Sequence, residues 1–160
     1  SVSNNDPAAD YPSAVLGLGA TIVTDKRRIA SDEFFMGLYE TARRPGEIVT
    51  RIEFPIPGIA AYAKFLSPAS RFSIAGVFIS KTSTNVRVAV TGAGANGVFR
   101  ATDLEAALTK DFHAEALAGC GIDPGTMMRD QNGTPEYRAN LVMVMARRAM
   151  ENQGRISVFR

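Results

Sequence analysis

Ala61-Tyr62-Ala63-Lys64-Phe65-Leu66 is followed by Phe72-Ser73-Ile74-Ala75-Gly76-Val77-Phe78-Ile79-Ser80-Lys81, and then by Asn85-Val86-Arg87-Val88-Ala89-Val90. All three runs are short, mainly apolar and rich in strand-forming residues. Lys81-Thr82-Ser83-Thr84-Asn85 has the composition of a hairpin turn. Strands joined by so little chain pair antiparallel, because a parallel return needs a crossover of a dozen or more residues. The stretch predicts a three-stranded antiparallel meander.

Helices dominate downstream. Thr102 or Asp103 caps one helix running to Leu108, and a second covers 113–117. The longest is predicted over 135–152, with Leu141, Val144, Met145 and Arg148 at helical spacing. Strands followed by helices, without βαβ alternation, give an α+β fold class. Upstream, Asp6 as N-cap and Pro7 at the first helical position predict a helix over 7–18. Strands at 21–24 and 28–30 flank a turn at 25–27, and Ser31 opens a brief helix to Phe35. A turn at 43–47 leads into a strand over 48–54, stopped by Pro55 and Pro57. Pro55-Ile56-Pro57-Gly58 is the expected boundary between segments 1–57 and 58–160.

Composition narrows the function. A chain of 160 residues buries one good core, or two small subdomains sharing an interface. Its 46% hydrophobic and 21% charged residues are ordinary for a globular protein. The net charge is +2 with no long basic run, so nucleic acid is not expected as a partner. No apolar run approaches the roughly 18 residues of a transmembrane segment, and no signal peptide is visible. One Cys and one His allow no intrachain disulfide, zinc site or Fe–S site. Cys120 reads as an incidental thiol and His113 as a solvated surface residue. No catalytic constellation can be built, and no catalytic or metal-ligating residue is expected.

Gly92-Ala93-Gly94-Ala95-Asn96-Gly97 matches the dinucleotide pattern G-x-G-x-x-G after a strand. That fingerprint needs a helix opening at the last glycine, so that its amides meet a pyrophosphate. Val98-Phe99-Arg100 follows instead and reads as extended, so an ordinary glycine-rich loop is expected. Met143, Met145 and Met150 read as core packing.

Two carboxylates near the start remain. Asp6 reads either as a cap or as part of a site. Asp10 lies among apolar neighbours, where a carboxylate needs hydrogen-bond donors, and ligand hydroxyls could supply them. Lys64 stands in an apolar strand, either snorkelling to solvent or beside an anionic ligand.

An ordered set of motifs carries a resemblance. It runs from Asn5-Asp6-Pro7-Ala8-Ala9-Asp10-Tyr11-Pro12 through Arg43, Pro45-Gly46-Glu47-Ile48 and Phe54-Pro55. It continues with Tyr62-Ala63-Lys64-Phe65, Pro68-Ala69-Ser70-Arg71-Phe72, Val90-Thr91-Gly92-Ala93-Gly94 and Gly97-Val98-Phe99. Glu136-Tyr137-Arg138 and Arg147-Arg148-Ala149 complete it. The set resembles the FAD-binding medium subunit of aerobic carbon monoxide dehydrogenase, in the xanthine oxidase family of molybdenum hydroxylases. The resemblance implies the end of an FAD-binding α+β subdomain over 1–57. Over 58–160 it implies a C-terminal domain with a three-stranded antiparallel sheet and a helical bundle.

It also implies an oxidoreductase subunit whose FAD passes electrons from Fe–S clusters to an acceptor. The clusters would lie in a small partner subunit and molybdopterin in a large one, in a cytoplasmic complex through which any membrane association would be made. Ser1 matches the end of a glycine-rich flavin motif whose glycines precede this sequence. Asp10 matches an acid that bonds FAD hydroxyls, Val49 an apolar residue near the flavin, and Lys64 a lysine that contacts it. Phe72 falls where some relatives carry an aromatic beside the isoalloxazine. The chain is expected to be a C-terminal fragment, inactive alone and weak in flavin binding. The alternative expectation is a docking module for partner subunits that binds no flavin by itself.

Overall fold

The computed structural model describes residues 1–159. A 3-10 turn at Val2–Asn4 leads to α1 (Tyr11–Gly17), β1 (Thr21–Thr24), β2 (Arg28–Ala30) and a one-turn helix α2 (Ser31–Phe34). A small hairpin follows, β3 (Phe35–Gly37) with β4 (Glu40–Thr41), and then β5 (Val49–Glu53). The meander is β6 (Ile59–Leu66), β7 (Ser73–Lys81) and β8 (Val86–Thr91). After it come β9 (Phe99–Arg100), α3 (Thr102–Lys110), two 3-10 turns, α4 (Pro135–Glu151) and β10 (Ile156–Phe159).

The meander forms as its short links require, with β6 antiparallel to β7 and β7 to β8. The sheet is nevertheless five-stranded, in the order β10-β6-β7-β8-β9. β9 adds antiparallel to β8, while β10 returns from the end of α4 to lie parallel to β6. A separate antiparallel sheet has the order β2-β1-β5.

β7 is buried almost throughout because both faces of the sheet are covered. Ala75, Val77 and Ile79 pack with Val88, Val90, Leu104, Val142 and Met145 beneath α3 and α4. On the opposite face lies α1, where Ser80 donates to the Gly17 carbonyl at 2.6 Å. A Cβ added at Gly17 would come within 2.5 Å of the Phe78 ring, so the absence of a side chain sets how closely α1 approaches. Val15, Ile22, Ile29 and Phe34 form a second cluster with the small sheet. α4 is capped by Thr134, whose hydroxyl accepts from the Tyr137 amide, and Met143, Met145 and Met150 are core residues.

The first helix departs from expectation. It begins at Tyr11, and Asp6 instead closes a tight turn by accepting from the Ala8 amide at 3.0 Å. The reason is tertiary. The Pro7 carbonyl accepts from the Gly92 amide at 2.8 Å, and the Ala9 carbonyl from the Thr91 hydroxyl at 2.7 Å. Carbonyls bonded to the end of β8 are not available to an α-helical ladder. Gly92 makes this join possible. Its φ of +81° favours glycine, and an added Cβ would lie 2.5 Å from the Ser73 carbonyl oxygen. Residues 92–97 are a loop ahead of β9, with α3 starting only at Thr102.

A buried arginine braces this region from the other side. Arg138 of α4 donates to the carbonyls of Ile74 at 2.8 Å and Gly92 at 2.6 Å, and to Asp130 at 2.6 Å. The segment carrying Asp10, the end of β8 and the last helix are therefore joined by consecutive hydrogen bonds.

Candidate functional site

Alternation along β6 puts Tyr62 and Lys64 on one face of the strand. Their partners on β7 are Phe78 and Gly76. A Cβ at Gly76 would overlap the Tyr62 hydroxyl, so this glycine provides the slot into which the phenol reaches. Asp10, at the start of α1, meets this face. Its Oδ1 accepts from the Tyr62 hydroxyl at 2.7 Å and from Ser73 Oγ at 2.6 Å. Its Oδ2 accepts from Lys64 Nζ at 2.6 Å.

These bonds determine the charge states. Burial works against ionisation of Asp10, but the bonds from Lys64, Ser73 and Tyr62 outweigh it and hold the carboxyl below its ordinary range. Tyr62 is pushed far upward, first by burial and then by donating to Asp10, so the phenol stays a neutral donor. Asp10 is thus a fixed anion at neutral pH, with its donors supplied by the protein.

The site opens into a cavity of about 720 Å³. Its walls come from the first segment, from β6, from the loop before β7 and from the last strand. Tyr11 and Phe72 are exposed aromatic residues on it, and Ile156 and Val158 of β10 add apolar surface. Asp10 and Lys64 form an ion pair on the wall, and Asp6, Arg71 and Arg155 are the other charged residues lining it. Arg71 holds a left-handed φ of 61° in the loop that turns β6 into β7.

The structure brings together Ser1, Asp10, Lys64 and Phe72, all of which line this cavity. Val49 does not join them. It lies on β5 and packs against the second hydrophobic cluster. Sequence reasoning missed Tyr62, Ser73, Tyr11, Arg155 and the apolar wall from β10. Tyr62 was within reach, since it stands two positions before Lys64 on a strand. Among the described residues, no group of three or more His, Cys, Asp or Glu side chains is arranged to hold a metal ion. No helix among them is long and apolar enough to cross a membrane.

Apolar walls with a fixed carboxylate and an ammonium suit a flat, partly polar ligand that donates hydrogen bonds. Residues 1–57 match the family described as the FAD binding domain in molybdopterin dehydrogenase. The nicotine 6-hydroxylase medium subunit of Paenarthrobacter nicotinovorans is 28% identical, over 96% of this chain and 59% of its own length. The carbon monoxide dehydrogenase medium chain of Afipia carboxidovorans is 26% identical, over 93% of this chain and 57% of its own. Over nearly its whole length the chain is similar to these medium subunits.

The structures agree. Reconstituted CO dehydrogenase from Oligotropha carboxidovorans superposes with a TM-score of 0.77 at 26% identity, covering 94% of this chain and 58% of that one. Quinoline 2-oxidoreductase from Pseudomonas putida 86 shares the fold, with a TM-score of 0.77 at 18% identity over 95% of this chain and 58% of that one. The α+β class expected from the sequence is the fold of these subunits. The chain spans a little over half the length of the medium subunits it matches, at 57–59% of each curated relative above.

The cavity's donor set fits part of FAD. Tyr11 and Phe72 offer aromatic surface to a planar ring, and Asp10 offers an acceptor to hydroxyl or N–H groups. The glycine-rich loop at 92–97 does not line this cavity.

Proposed function

We propose that this chain is the flavin-facing part of an FAD-carrying medium subunit in a cytoplasmic molybdenum hydroxylase. In that reading the subunit passes electrons from Fe–S clusters in a small subunit to an acceptor, after substrate oxidation at molybdopterin in a large subunit. One observation carries the reading. The segment matching an FAD-binding family contributes Asp10 to a cavity completed by Lys64 and Phe72.

Bound FAD would supply the redox chemistry, which is the cofactor's own. The chain's residues hold and orient it. Asp10 accepts from a hydroxyl or ring N–H, and Lys64 keeps that carboxylate ionised. Phe72 and Tyr11 cover the ring and exclude water, while Ser1 bounds the cavity at the start of the chain. Segment 1–57 is the end of a flavin domain and 58–160 a C-terminal domain, with the cavity between them drawing on both.

The full-length subunit, reconstituted with FAD, should purify yellow and keep a flavin absorbance spectrum through gel filtration. Co-purification with a small Fe–S subunit and a large molybdopterin subunit should accompany it. A full-length subunit that takes up no flavin would refute the proposal.

A further inference from the structure

We infer that Tyr62 and Ser73 are positioning residues that pin one oxygen of the Asp10 carboxylate and turn the other, shared with Lys64, toward an uncharged hydroxyl or N–H donor of the cofactor. The inference rests on the flavin reading for its ligand, but not for its geometry.

A carboxylate oxygen has two lone-pair sites. Both sites of Oδ1 are used, by Tyr62 at 2.7 Å and Ser73 at 2.6 Å. Oδ2 carries only the Lys64 bond among the described contacts, leaving one site for a ligand. Ser73 lines a separate small cavity with Arg138 and Asp130, whereas Tyr62 and Lys64 line the large one with Asp10. Oδ2 is therefore the oxygen with a lone-pair site left for a ligand. The Gly76 slot fixes the phenol that does the pinning.

This arrangement discriminates between ligand groups. The charged and titratable groups around Asp10 are Lys64 and Tyr62 on β6, Asp6 and Tyr11 on its own segment, and Arg71 and Arg155 across the cavity. The free acceptor site on Oδ2 bonds a neutral O–H or N–H donor and has no hydrogen to offer an ionised phosphate oxygen. The Asp10 end of the cavity therefore takes the polyol or ring portion of a flavin nucleotide, and its diphosphate is held elsewhere.

The test has two readouts. In the flavin-free protein, carbon NMR should show Asp10 titrating below its ordinary midpoint of 3.8. Tyr62→Phe should raise that midpoint, because a donor to the charged carboxylate is removed. In the full-length subunit, FAD affinity should fall as pH drops through the Asp10 midpoint, and in Tyr62→Phe this fall should begin at a higher pH. At neutral pH the variant should bind FAD about tenfold more weakly. Ser73→Ala carries the same test should Tyr62→Phe fail to fold. An unchanged Asp10 midpoint overturns the positioning role, whatever the flavin result. A shifted midpoint in a subunit that never takes FAD supports the positioning and overturns the flavin reading alone.

Discussion

Replacing Arg138 with Met removes the brace between the last helix and the segment that carries Asp10. Arg138 is only 2% exposed, so the substitution acts inside the protein. Met fills much of the same volume with flexible apolar atoms, which keeps the cavity contribution small. The loss is in the three hydrogen bonds. The Ile74 and Gly92 carbonyls lose a charged donor, and each buried group left unsatisfied costs about 1–3 kcal/mol. Asp130 is 32% exposed at its side chain and recovers water, so its share is smaller. Removing a buried cation returns some desolvation energy. The net cost should be about 2–5 kcal/mol, within the usual range for breaking a buried charged network. At about 2–4 °C per kcal/mol for a chain of this size, the midpoint should fall by about 5–15 °C. Thermal denaturation followed by circular dichroism measures it. Amide exchange should also quicken at Gly92, whose N–H is bonded to Pro7. A variant melting within about 1 °C of the wild type would refute the reasoning, since the bonds would then contribute nothing net.

Glu47 is buried, and its carboxyl is held down to about 2 by the Arg27 guanidinium, the Arg44 amide and the Thr24 hydroxyl, against burial. Its folded value lies below the ordinary 4.5, so its stabilisation is complete above pH 4.5 and is lost as pH falls toward 2. The melting-temperature gap between wild type and Glu47→Gln should therefore close across that window, and a gap independent of pH would exclude the linkage. Gly76→Ala should cost about 1–3 kcal/mol through overpacking against the Tyr62 hydroxyl, read as a lowered urea midpoint. The same substitution in a Tyr62→Phe background should cost less, and equal costs in both backgrounds would dismiss the slot.

The central meander was legible because its signal is local: three apolar runs, short links and a polar turn. The α4 helix was legible for the same reason, with Leu141, Val144 and Met145 recurring at helical spacing after Pro135. β10 was not. Its pairing of Ile156 with Tyr62 spans most of the domain, and four residues at the end of a helix carry too little pattern to announce a parallel strand. The start of α1 was misplaced because Asp6-Pro7 is a good local cap, whereas the Pro7 and Ala9 carbonyls are committed to β8. The site divides along the same line. Asp10 and Lys64 stood out as charged residues among apolar neighbours, but nothing local joins them as a pair. Val49 was named through a resemblance, and its own strand carries it into another cluster.

The contact of α1 with β7, closed by the bare Gly17 against Phe78, has a consequence for how this chain can be divided. The flavin-family match stops at residue 57, a natural place to cut or to exchange modules between relatives. A cut there would leave Asp10 on one piece and Tyr62, Lys64 and Ser73 on the other. Residue 57 is thus only where that family match ends, and the joint that a hybrid must keep matched is the seam between the first helix and the central sheet.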